Sequence, residues 1–147
     1  GMGIYSVSKH AVVALSECLR HDLQLVTPQL HAAVLCPSYV STEIGHSDRN
    51  RPAHLLDAAP LTKSQLAARA AAQQAVKNGA ISADAVAEIT FEAVADDRFY
   101  VFPSPEALPL VKARIDHVLN QTNPDLPYDL VPALKQRRDR ILSALTQ

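Results

Sequence analysis

Tyr5 and Lys9 stand four residues apart in Tyr5-Ser6-Val7-Ser8-Lys9, which runs straight into His10-Ala11-Val12-Val13-Ala14-Leu15. On a helix, positions i and i+4 lie one above the other, so a phenol and an ammonium with this spacing can work as a unit. A free tyrosine, with a pKa of about 10, is a poor base near neutral pH. A neighbouring ammonium and the positive end of a helix dipole both favour the ionised phenol. The pair therefore suits proton exchange with a carbonyl or an alcohol. The plainer reading is a helix start with a surface contact between the two side chains.

The elements that must position the pair follow from periodicity. Val12, Leu15, Leu19, Leu23 and Val26 recur every three or four positions, which predicts a helix from Ile4 to about Val26 with one buried stripe. Thr27-Pro28 ends it, because proline disfavours helical geometry in the residue before it. His31-Ala32-Ala33-Val34-Leu35-Cys36 is short, apolar without alternation and closed by Pro37, as in a strand buried on both faces. Helix followed by buried strand predicts an α/β class with a parallel sheet.

Thr42 to Pro60 shows no period and reads as a long loop, of the kind that is a lid, a binding loop or disordered. Thr62 and Gln65 make a capping box for an alanine-rich helix that reaches Asn78 and is closed by Gly79. Ser82 caps a further helix with the stripe Val86, Ile89, Ala93 and Val94. Arg98 to Phe102 reads as a second strand, ended by Pro103. Val111, Ile115, Val118 and Leu119 mark another helix, broken at Asn123-Pro124. Pro132 opens a last one carrying Leu134, Ile141, Leu142 and Leu145. Two short strands against five helices make a thin sheet for a chain of 147 residues, as if strands were missing.

Composition narrows the function classes. The chain is 48% apolar and 20% charged, with a formal net charge of -1, which gives no general pull toward nucleic acid or anionic membrane. No apolar run nears the roughly 20 residues that span a bilayer. The first residues lack the basic region and apolar core of a signal peptide, so a cytoplasmic protein with reduced Cys18 and Cys36 is the expectation. Gly1-Met2 reads either as a tag remnant followed by a start residue or as the interior of a longer protein. The six histidines form no His-x-x-x-His pair, so no metal site is expected. Lys135, Arg137, Arg138 and Arg140 form a basic run without interleaved aromatics, read as a solvated helix face.

Taken together, Tyr5-x-x-Ser8-Lys9-x-Ala11, the helix, the buried strand and Pro37-x-x-Val40-x-Thr42 at the right interval resemble the short-chain dehydrogenase/reductase family. The resemblance covers about residues 1–103 and implies the C-terminal half of a Rossmann domain, a doubly wound parallel sheet, with residues 42–79 as lid loop and helix. Residues 104–147 would be an added helical extension. The implied activity is hydride transfer between NAD or NADP and a small-molecule carbonyl or secondary alcohol. Tyr5 would be the acid/base on the substrate oxygen, and Lys9 would hold the nicotinamide ribose. Pro37 and Val40 would line the nicotinamide, and Thr42 would bond its carboxamide or a phosphate.

The chain also departs from the family pattern. Ser38 stands where the family usually has glycine. The family's active-site serine and the asparagine of the preceding helix fall upstream of residue 1. Gly1, Gly3, Gly45 and Gly79 form no phosphate-binding loop. A truncated chain, inactive alone, is the expectation. The alternative is a non-catalytic fragment that self-associates as a homo-oligomer through the exposed edge of the 31–36 strand.

Overall fold

A computed structural model of the chain describes residues 3–55, 60–125 and 132–145. Gly1 and Met2 lie outside the described residues, as do the side chains of Arg137, Ile141 and Leu145. The chain divides into two compact units, one made of Gly1–Ser38 with Ile81–Pro105, the other of Tyr39–Ala80 with Glu106–Gln147. Among the described residues, no helix is long and apolar enough to cross a membrane.

The first unit holds helix α1 (Gly3–Val26), strand β1 (Val34–Leu35), helix α3 (Ala83–Ala95) and strand β2 (Tyr100–Val101). The strands pair in parallel, Val34 opposite Tyr100 and Leu35 opposite Val101. Backbone bonds from Val34 N to Phe99 O (2.7 Å) and from Cys36 N to Val101 O (2.8 Å) extend the ladder at each end. The strands are shorter than the stretches 31–36 and 98–102, because each has a single neighbour to set its pairing in this two-stranded sheet. The small core is Val34, Val86, Ala93 and Val101, with Val101 2% exposed. Successive side chains in a strand point to opposite faces. Val34 and Val101 are buried while Leu35 and Tyr100 are exposed, so with Val34 opposite Tyr100 and Leu35 opposite Val101 each face of the pair carries one buried and one exposed residue.

Helix α3 begins at Ser82, whose hydroxyl accepts from Ala85 N (3.1 Å), and buries Val86 and Ala93 as its spacing implies. Val94, expected on the same stripe, is exposed. The helix ends in paired C-terminal bonds, Arg98 N to Ala93 O and Asp97 N to Val94 O, with Asp97 in the left-handed region at φ 50°. That is the Schellman arrangement with aspartate in the place usually taken by glycine.

Helix α1 corrects the expected stripe. None of its residues is buried, and Val12, Leu15, Leu19 and Val26 are all exposed, Leu15 at 70%. Of the expected stripe Leu23 alone is half-buried, and the other half-buried residues are Val13, Ser16, Glu17 and Arg20. At about 100° per residue, this face is turned roughly 100° from the apolar one. Polar residues on the covered face have partners in the unit, described below, whereas no described element of the unit covers the apolar stripe.

The second unit holds α2 (Lys63–Lys77), α4 (Leu108–Asn120) and α5 (Pro132–Leu145). The capping box forms as expected: Thr62 Oγ1 accepts from Gln65 N (3.3 Å) and Gln65 Oε1 from Thr62 N (2.8 Å). Alanines on α2 let α5 pack against it closely. The stretch expected to be an irregular loop contains 3-10 helix at Glu43–Asn50 and Ala53–Leu55. The longer segment is tied to α2 by Gln73 Nε2 to Gly45 O (3.2 Å) and by an Arg69–Asp48 ion pair. Among the described residues the chain has two strands and five α-helices, the balance read from the sequence.

Candidate active site

Tyr5 and Lys9 sit on the first turns of α1. The helix brings them together, with the Lys9 Nζ 5.4 Å from the centroid of the Tyr5 ring. Tyr5 is half exposed and Lys9 exposed. Among the described residues neither the phenol nor the ammonium has a hydrogen bond or an ion pair, so both polar ends are open to a ligand. Ser8 Oγ donates to the Tyr5 backbone carbonyl (2.7 Å), a local helix contact that leaves the phenol unengaged.

Pro37 lies two residues past the end of β1, in the same unit as Tyr5 and Lys9. Val40 and Thr42 belong to the second unit. Thr42 Oγ1 accepts from Ile44 N at 3.5 Å and caps the 3-10 segment. Val40 lies in a tight backbone passage. A Cβ on Gly79 would stand 2.6 Å from Tyr39 O, 2.8 Å from Ser41 N and 3.0 Å from Val40 C. Gly79 has no positive φ. Its lack of a side chain is used for this close approach rather than for a left-handed turn.

The charged groups of the first unit meet further along α1. Arg20 donates from Nη1 to Asp97 Oδ1 (2.8 Å) and from Nη2 to Asp97 Oδ2 (3.1 Å), and from Nη1 to Ala32 O (3.1 Å). Its guanidinium also lies 5.7 Å from the Phe99 ring centroid. His31 Nδ1 is 3.0 Å from Asp97 Oδ1. The Tyr100 hydroxyl donates to Glu17 Oε1 at 2.6 Å. The hydrogen bonds from Arg20 hold the Asp97 carboxyl below the usual carboxylate range, and the bond to Glu17 pushes the Tyr100 phenol up. An open depression of about 320 Å³ is lined by Glu17, Arg20, His21, Phe99 and Tyr100. It contains neither Tyr5 nor Lys9. Burial raises the Cys36 thiol pKa at the end of β1.

No family model matches the chain. Over 129 residues it is 33% identical to the CLA biosynthesis dehydrogenase/reductase of Lactiplantibacillus plantarum, covering 86% of this chain and 45% of that protein. Over 107 residues it is 35% identical to the 1-deoxy-11-beta-hydroxypentalenate dehydrogenase of Streptomyces avermitilis, covering 73% of this chain and 31% of the relative. A crystal structure of a short-chain dehydrogenase/reductase from Burkholderia phymatum in complex with NAD superposes with a TM-score of 0.83 and 44% identity, over 86% of this chain and 45% of that one. The chain belongs to the short-chain dehydrogenase/reductase family. Its parallel strand pair with flanking helices is a partial Rossmann-type fold. This short-chain dehydrogenase/reductase spans less than half the length of these three relatives.

Three features of the site region were not singled out from sequence. Arg20 shares the helical face of Lys9, about three turns away, a spacing visible once the apolar stripe is set aside. Asp97 follows a helix end that lacks glycine, a sign that a non-glycine residue takes the left-handed position. For the close approach at Gly79 no sequence signal existed beyond the glycine itself.

Proposed function

We propose that the chain is part of an NAD- or NADP-dependent oxidoreductase that interconverts a carbonyl and a secondary alcohol. The observation that carries this reading is the Tyr5–Lys9 pair on one helical face, in a chain 44% identical to the Burkholderia phymatum enzyme solved with NAD. Tyr5 donates its phenolic proton to the carbonyl oxygen in reduction and takes it back in oxidation. Lys9 binds the ribose hydroxyls, its ammonium beside the Tyr5 ring. Pro37 and Val40 contact the nicotinamide, and Thr42 bonds its carboxamide or a phosphate, as the family resemblance implies. The bound nicotinamide supplies or accepts the hydride.

The unengaged phenol and ammonium fit the nicotinamide-ribose end of such a cofactor. The described glycines, Gly3, Gly45 and Gly79, supply no loop for a pyrophosphate. The 147 residues therefore bind dinucleotide weakly and turn over little by themselves. Titration of the chain with NADH and NADPH tests this: saturable binding in the micromolar range contradicts it. A fusion that supplies the part of the Burkholderia phymatum enzyme outside the match is expected to bind nicotinamide and to reduce carbonyl compounds.

A second reading has its own observation. Among the described residues strand β1 pairs with β2 alone, and α1 exposes Ile4, Leu15 and Val26. An unpaired strand edge beside apolar surface favours self-association, so the chain acts as a homo-oligomer-forming module. Light scattering at high dilution reads this directly, and a monomer there counts against it.

A further inference from the structure

We propose that Arg20 and Asp97 are positioning residues for the Tyr5–Lys9 pair. They act as a polar clasp that sets the rotation of α1, and this inference rests on the proton-transfer role given to Tyr5 above. Helix α1 has no fully buried residue, and Val13 and Leu23 on its covered face are only half-buried, so apolar burial alone does not lock it in place. The directional contacts on that face are polar: Arg20 to both oxygens of Asp97 and to Ala32 O, and Tyr100 to Glu17. A two-pronged guanidinium–carboxylate contact fixes orientation as well as distance.

The same face carries the reactive pair. At about 100° per residue, Lys9 lies within roughly 20° of Arg20 and Tyr5 within roughly 60°, some 16 and 22 Å along the axis. A helix transmits rotation along its length, so a turn at Arg20 moves Tyr5 and Lys9 by the same angle. Proton transfer tolerates little misplacement, because the donor must reach the substrate oxygen within hydrogen-bond distance.

Asp97 identifies the contact as more than a helix cap. Its backbone occupies the left-handed region, where glycine is the easier residue and a side chain is disfavoured. Glycine would complete the same turn but would leave Arg20 without its carboxylate, with the Ala32 carbonyl as its remaining hydrogen-bond acceptor among the described residues. The aspartate is explained by its carboxylate.

The test uses the two roles' opposite orders. As a cap at φ 50°, position 97 should rank Gly above Asp above Glu; as a clasp it should rank Asp first, Glu close to it and Gly last. Spin labels are placed on cysteines at two exposed positions of the first unit, Val7→Cys on α1 and Phe91→Cys on α3, in a Cys18→Ser, Cys36→Ser background, and their separation is read by pulsed dipolar spectroscopy. Thermal melting of each variant reports the fold separately.

The parent should give one narrow distance distribution. Asp97→Gly and Arg20→Gln should broaden or shift it by several ångströms, and Asp97→Glu should restore most of the narrow peak. An unchanged distribution in Asp97→Gly overturns the proposal, as does a broadened one that Asp97→Glu leaves broad. The readout needs neither cofactor nor substrate. A failed clasp is thereby distinguishable from a failed assignment of the reaction, which nicotinamide binding and turnover test separately.

Discussion

The guanidinium of Arg20 grips the carboxylate of Asp97 through two hydrogen bonds of 2.8 and 3.1 Å, across 77 positions of sequence. The contact joins the helix that carries Tyr5 and Lys9 to the turn that feeds β2. It accounts for the polar residues Arg20 and Glu17 lying on the half-buried face of α1 while Leu15 on the apolar face is open.

The clasp has a defined pH range. Asp97 is held below its ordinary value first by the hydrogen bond from Arg20, with the charges of Arg20 and His31 adding to it and burial opposing. A folded-state pKa below the unfolded one, near 4, contributes stability that is fully present above about pH 4. That contribution is lost as pH falls through the folded value. Melting of the parent and of Asp97→Asn, which tolerates the same backbone, should differ by a constant amount from pH 5 to 8 when both carry His31→Gln, which removes the imidazole charge 3.0 Å from the carboxylate. The difference should shrink below pH 4; a gap that persists at pH 2 is incompatible with the ion pair.

Gly79 is fixed by backbone on the other side of the contact. In Gly79→Ala the new methyl meets Tyr39 O at 2.6 Å, and neither partner is a flexible side chain. A loss of about 1–3 kcal/mol is expected, as for overpacking elsewhere. The urea midpoint measures it, and an unchanged midpoint would show that the segment around Val40 moves aside freely.

Gln121 ends α4 in the left-handed region at φ 53°, with Thr122 N bonded to His117 O at 3.0 Å. A side chain there costs roughly 1 kcal/mol that glycine avoids. Gln121→Gly should raise the melting temperature by about 2–4 °C for a chain of this size. A fall would mean that the glutamine makes a compensating contact.

The two thiols should separate by rate. Cys18 is exposed on α1, whereas Cys36 is partly covered and its thiol pKa is raised by burial. Because the thiolate is the reactive form, a disulfide reagent at pH 7.5 should modify Cys18 first. Cys18→Ser should leave only the slow phase.

Much of the helical framework was legible because its signals are local. The Thr62–Gln65 box and the Ser82 cap formed where the residues announced them. Val86 and Ala93 are buried as their spacing implied. The misreadings concern which surface is covered, the length of the strands and the stretch read as loop. Periodicity found the apolar stripe of α1 but could not know which face the unit would cover, since Asp97 lies far along the chain from Arg20. The stretch from Thr42 to Pro60 lacked a helical period of apolar residues, yet 3-10 turns form there, with hydrogen bonds from Arg49 Nη1 to the carbonyls of Glu43 and His46. The Tyr5–Lys9 pair was legible because i and i+4 spacing on one helix fixes it without any tertiary information.

The role of Tyr5 is open to one direct measurement. In the fusion with the part of the Burkholderia phymatum enzyme outside the match, carbonyl reduction is followed by nicotinamide absorbance for the parent and for Tyr5→Phe, which keeps the ring beside Lys9 and removes the hydroxyl. Loss of a positioned proton donor should lower kcat by about 10²- to 10⁴-fold with nicotinamide affinity nearly unchanged. A Tyr5→Phe enzyme that keeps its kcat would contradict proton transfer by Tyr5 outright.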